Sequence, residues 1–104
     1  MLIYCSHKYG GDPENAHKAE EIIKSLQKHF LEDTFVSPIH AFGFMYNELS
    51  YDDGMKLCLD LLDKCDTLLV LSDESEGVRR EIEYAIAHRK NIYFWEGVDK
   101  SWQI

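Results

Sequence analysis

Apolar residues along the chain fall into two alternating kinds of segment. Short, nearly continuous runs occur at Leu2–Cys5, Thr34–Ser37, Thr67–Leu71 and Ile92–Trp95. Between them lie longer stretches in which apolar residues recur every three or four positions. Ala16, Ala19, Ile22, Ile23, Leu26 and Phe30 form one stripe, Leu57, Cys58, Leu61, Leu62 and Cys65 a second, and Val78, Ile82, Ala85 and Ile86 a third. The runs predict strands, and the stripes predict helices with one apolar face. A run as apolar as Leu68–Leu71 predicts a strand covered on both faces, as in a parallel sheet. The polar punctuation agrees. Gly10-Gly11 breaks the chain after the first strand, and Asp12 is placed to cap a helix that begins at Pro13. Pro38 stops the second strand, the segment His40–Tyr46 predicts a loop, and Ser50 with Asp53 makes a capping pair for the second helix.

Alternating strands and helices predict an α/β domain. The expected architecture is a minimal doubly wound parallel sheet of four to five strands in the order 2-1-3-4, with three main helices. Ligands of such sheets bind at the carboxyl ends of the strands, where the strand order reverses. That edge collects the loops after the first, second and third strands, so function is expected there. The last nine residues, from Glu96, predict no element.

Composition narrows the classes. The 104 residues predict one domain spanning 1–104, with 45% hydrophobic and 29% charged residues, an ordinary globular mixture. No apolar run approaches the ~18 residues of a membrane span, and no basic stretch leads into a long apolar one as in a secretory leader. A formal net charge of −8 argues against nucleic acid as a partner, because phosphate neutralisation needs lysine and arginine. Cys5, Cys58 and Cys65 lack metal-ligand spacing, and the five histidines are scattered. No metal or cofactor is expected, and the cysteines read as reduced thiols of a cytoplasmic protein.

Three segments carry candidate chemistry. Ser72–Glu81 runs from the end of the third strand into a helix, where backbone N–H groups attract anions. Within it Ser75 offers a hydroxyl and Gly77 permits close approach; the plainer reading is a helix cap and a tight turn. Glu81 lies at the flank of the third stripe and can reach a ligand cleft to attack a carbon or stabilise a cation. Equally, it can be a solvated glutamate paired with Arg79 or Arg80. The loop Ser6–Gly11 offers a hydroxyl, an imidazole and an ammonium before a helix, an inventory suited to ribose or phosphate. Phe42–Tyr46 is rich in rings that can stack on a nucleobase, or pack on the core or a partner subunit.

Taken in order, these pieces resemble the nucleoside 2-deoxyribosyltransferase-like superfamily, in particular its small, often phage-encoded branch. The resemblance rests on Ile3-Tyr4-Cys5-Ser6, then Asn15 with Ala16 and Ala19, then Val36-Ser37-Pro38-Ile39-His40. It continues through Cys65–Leu71 and Ser75-Glu76-Gly77-Val78 with Glu81 and Ala85, and ends on Arg89-Lys90-Asn91-Ile92. It implies a flavodoxin-like fold and cleavage of a nucleoside N-glycosidic bond, with Glu81 as the nucleophile. It implies that Tyr4, Ser6 and His7 contact the sugar, and that Ser75 and Gly77 hold a 5′-phosphate, so that a nucleoside monophosphate binds better than the nucleoside. It also implies a homodimer or higher homo-oligomer. One departure stands out. The family's aspartate eight residues before Asp66 falls on Cys58 here. Asp60, the nearest carboxylate, sits on the solvent side of the same helix. Transferase activity is therefore expected to be weak, and a nucleotide-binding module without turnover is the rival expectation.

Overall fold

The computed structural model describes residues 1–95; the stretch from Glu96, for which no element is expected, lies outside the described residues. Four strands, β1 (Leu2–Ser6), β2 (Thr34–Val36), β3 (Thr67–Val70) and β4 (Asn91–Phe94), form one sheet in the order β2-β1-β3-β4. Every neighbouring pair is parallel, with Ile3 opposite both Phe35 and Thr67, and Leu68 opposite Ile92. Four helices connect them: α1 (Pro13–His29), α2 (Pro38–Phe42), α3 (Tyr51–Asp63) and α4 (Glu76–Ala87), with a 3₁₀ turn at Gly43–Met45. This is a flavodoxin-like α/β arrangement, and the strand order is the expected one.

Parallel neighbours must be joined by right-handed crossovers. The chain moves one way from β1 to β2 and back across β1 to β3, so α1 covers one face of the sheet while α3 and α4 cover the other. The strand order therefore reverses between β1 and β3. The core lies under α3 and α4, where Tyr4, Leu62, Cys65, Leu68, Val70, Val78, Ile82 and Ala85 form one buried cluster. The α1 face is thinner: Ala19 is the one fully buried residue of that helix.

Side chains fix the helix starts. Asp12, Ser37, Ser50 and Ser75 each accept a hydrogen bond from a backbone N–H of the first turn that follows. A cap of this kind is worth about 1 kcal/mol. Two of the helices also begin with proline, whose missing N–H costs nothing there.

The structure corrects the sequence-based expectation in two places. Where a loop was expected from His40, Pro38–Phe42 forms α2, because Ser37 caps and Pro38 starts a helix too short to show a periodic stripe. Ile86, expected against the sheet, is exposed, as is Phe30.

Leu62 is fully buried between α4 and the sheet, whereas Leu31 is 81% exposed. Leu62→Ala is expected to cost about 2–5 kcal/mol in urea denaturation. Leu31→Ala should stay within about 0.5 kcal/mol.

Candidate functional site

Successive residues of a strand point to opposite faces. In β1 this sends Tyr4 and Ser6 towards α4. In α4 the positions Val78, Ile82 and Ala85 are buried against the sheet, and Glu81 is drawn in with them, only 5% exposed. A buried carboxylate requires hydrogen-bond donors, and β1 supplies two. The Tyr4 hydroxyl donates to Glu81 Oε2 and the Ser6 hydroxyl donates to Oε1 at 2.6 Å. Among the described residues no cation pairs with Glu81; Arg79 pairs instead with Glu74, and Arg80 with Asp52. Burial without a cation raises the Glu81 pKa to about 7, although the Ser6 and Tyr4 hydroxyls pull it down. Burial, reinforced by the Glu81 charge, pushes the Tyr4 phenol well above its ordinary range. It therefore stays a donor at any physiological pH.

Glu81 opens into a cavity of about 510 Å³ at the carboxyl edge of the sheet, between the loop after β1, the α2 region and the start of α4. This volume suits a ligand of nucleoside size. Its wall is mainly apolar, with Ile39, Phe42, Met45 and Met55 among the contributors. Two loops close its roof by reciprocal contacts. Tyr46 lies so close to Gly11 that a Cβ there would stand 2.7 Å from its ring, and the Tyr9 hydroxyl would stand 3.2 Å from a Cβ on Gly43. The rings of Tyr9 and Tyr46 meet edge to face, with centroids 5.1 Å apart. Gly11 has φ +74°, a conformation that glycine adopts without strain.

The structure places the residues singled out in the sequence as follows. Glu81, Tyr4 and Ser6 form one hydrogen-bonded group. Ser75 and Gly77 line the cavity; the Ser75 hydroxyl accepts from the Val78 N–H at 3.2 Å as the α4 cap, which leaves its own hydrogen to donate. His7 also lines the cavity, without a hydrogen bond to Glu81. It follows Ser6, just past the end of β1, and is buried. Its Nδ1–H donates to the Lys8 carbonyl at 2.7 Å. Burial lowers its pKa, and the charges that act on it are Lys8, Lys18 and Asp73, not Glu81. It stands in the wall between the main cavity and a shallower depression that Lys18 and Ile22 of α1 help to line.

Cys58 of α3 lies beside Tyr4 and Glu81, where burial and the Glu81 charge push its thiol up to about 11. Asp60 is exposed and bonded to Lys56 at 2.8 Å. Cavity residues not singled out from sequence include Tyr9, Tyr51 and Met55. Tyr51 had one usable signal, its position immediately after the helix cap Ser50.

A folded pKa above the unfolded value means that the native protein binds the Glu81 proton more tightly. Stability from this group is greatest below about pH 4.5, falls as pH rises towards about 7, and is flat above. The difference from the ordinary glutamate value of 4.5 corresponds to roughly 3 kcal/mol. Denaturation at pH 5 and pH 8 is expected to show this loss in the wild type and not in Glu81→Gln. Equal pH slopes in both proteins would exclude a buried, charge-strained Glu81.

The fold has known counterparts. A solved structure described as a 2-desoxiribosyltransferase from Leishmania mexicana superposes with a TM-score of 0.66 at 16% identity. The match covers 90% of this chain and 63% of that one, so the chain spans less than two thirds of its neighbour's length. At this identity the likeness is one of fold. No curated protein matches the sequence. The family model described as "Domain of unknown function (DUF4406)" matches residues 1–94, and the chain belongs to that family.

Proposed function

We propose that this domain cleaves the N-glycosidic bond of a nucleoside or nucleoside 5′-monophosphate, with Glu81 as the nucleophile. The observation that carries the reading is the buried Glu81 carboxylate, held by Tyr4 and Ser6 at the edge of a nucleoside-sized cavity. The fold shared with a deoxyribosyltransferase supports it. In the proposed step an oxygen of Glu81 bonds to the anomeric carbon as the bond from that carbon to the base nitrogen breaks. The bonding pair leaves with the base, which takes up a proton, and a glycosyl ester remains on Glu81. Water, or the nitrogen of a second base, then attacks the same carbon and releases the carboxylate. Tyr4 and Ser6 hold both carboxylate oxygens in place, so little reorganisation is needed on reaching the transition state.

Cys58 stands where the resembled family carries an aspartate. A thiol pushed to about 11 shuttles protons poorly at neutral pH. The reaction is therefore hydrolysis or weak transfer. The rival reading, a nucleotide-binding module without turnover, draws on this same residue. The three free cysteines fit a cytoplasmic setting, and no described helix is long and apolar enough to cross a membrane.

Chromatographic detection of free base from a panel of nucleosides and monophosphates tests the reaction. Glu81→Gln should abolish release while retaining binding, since an amide cannot form the ester. Because the carboxylate is the active form, release should rise with pH through about 7. Tyr4→Phe removes a donor to the carboxylate and should move that midpoint upward. Cys58→Asp should raise the rate wherever the variant remains folded. Unchanged release in Glu81→Gln rules out the nucleophile, and binding without release in the wild type establishes the binding module.

Assembly is a second expectation. Phe44, Tyr46 and Tyr51 are exposed around the cavity region, Phe44 to 80%. Apolar rings gathered in this way fit a contact between copies of the chain. Light scattering should give a dimer or larger species; a 12.2 kDa monomer at micromolar concentration would refute it.

A further inference from the structure

The second depression, about 400 Å³ in volume, lies between α1 and the loops that follow β1 and β3. Buried Leu71 and half-buried Ile22 make part of its lining apolar. Charges of both signs share the rest. Lys8 pairs with Asp73, its Nζ 3.7 Å from the carboxylate, and His17 Nε2 lies 3.9 Å from Glu21. Lys18 makes no ion pair among the described residues, and its charge acts on the His7 ring. His7 brings an acceptor. Its Nδ1–H donates to the Lys8 carbonyl at 2.7 Å, and burial favours the neutral ring by lowering its pKa. The other nitrogen, Nε2, is then a lone-pair acceptor, and no described residue donates to it.

We propose that this depression is a binding site for a free α-amino acid with an apolar side chain. A simple anion would meet the carboxylates of Asp73 and Glu21, and a simple cation would meet Lys8 and Lys18. A zwitterion matches both signs. Its carboxylate pairs with Lys18, and its ammonium donates to His7 Nε2, a ring on which the Asp73 charge also acts. Its aliphatic side chain covers Leu71 and Ile22, and the charged hydrogen bonds at the other end fix its orientation. The site is distinct from the one that holds Glu81. His7 and Lys8 line both, whereas Lys18, Ile22 and Leu71 line the depression alone.

Heteronuclear NMR of the full chain tests each part of this match. Leucine at millimolar concentration is expected to shift the Ser72 and Asp73 amide resonances, and to move the His7 Nε2 resonance as that nitrogen gains a donor. Isocaproate keeps the carboxylate and the side chain but lacks the ammonium; isoamylamine keeps the ammonium and lacks the carboxylate. Each should bind more weakly than leucine by a factor on the order of tenfold, the usual effect of losing one charged hydrogen bond. Lys18→Gln, a change at an exposed position of α1, should weaken leucine by a similar factor and leave isoamylamine no weaker. No shift with leucine in the wild type overturns the proposal. So does equal affinity for either fragment, an unchanged leucine affinity in Lys18→Gln, or leucine binding that leaves His7 Nε2 unmoved. None of these readouts depends on base release, so the result is independent of the nucleoside-cleaving reading.

Discussion

The burial of one carboxylate organises this molecule. Glu81 sits on the apolar face of α4, where a hydrophobic residue would stabilise the fold at no electrostatic cost. The chain instead places Tyr4 and Ser6 of the neighbouring strand β1 against its two oxygens. That arrangement needs β1 and α4 in one register, with β1 central in the sheet and α4 packed over it. A slip of one residue in β1 would turn both hydroxyls to the α1 face and leave the carboxylate without a donor. The fold and the reactive group therefore constrain each other. Burial of Glu81 raises its pKa to about 7, and the two hydroxyls that hold it act in the opposite direction.

Uneven packing on the two faces of the sheet follows from the same geometry. The face under α3 and α4 carries the fully buried core and the reactive group, and its rigidity sets the precision of the site. The α1 face is largely half-buried. Asn15 is the one residue of α1 that lines the cavity.

Much of this was legible in the sequence because the signals were local and redundant. The continuous apolar run of β3 and the caps at Asp12 and Ser50 each pointed to one outcome, and the parallel sheet in the order 2-1-3-4 followed. The α2 helix was missed because five residues are too few for a stripe, although Ser37-Pro38 carries a helix-start signature. Glu81 was found through resemblance and helical position. Its partners came from the strand-one motif, but their hydrogen bonds span 77 and 75 residues of sequence and leave no local trace. His7, grouped with Ser6 by adjacency, lines the same cavity.

The roof of the cavity has a consequence of its own. Each of its two loops places a tyrosine on the other's glycine, Tyr46 on Gly11 and Tyr9 on Gly43. A side chain added to either glycine would displace a ring that belongs to the opposite loop. The two loops are therefore coupled in mutation as well as in space, and their substitutions are expected to be non-additive. Any lineage or designer reshaping this site for a bulkier ligand must alter both loops together, because the space over the ligand belongs to neither loop alone.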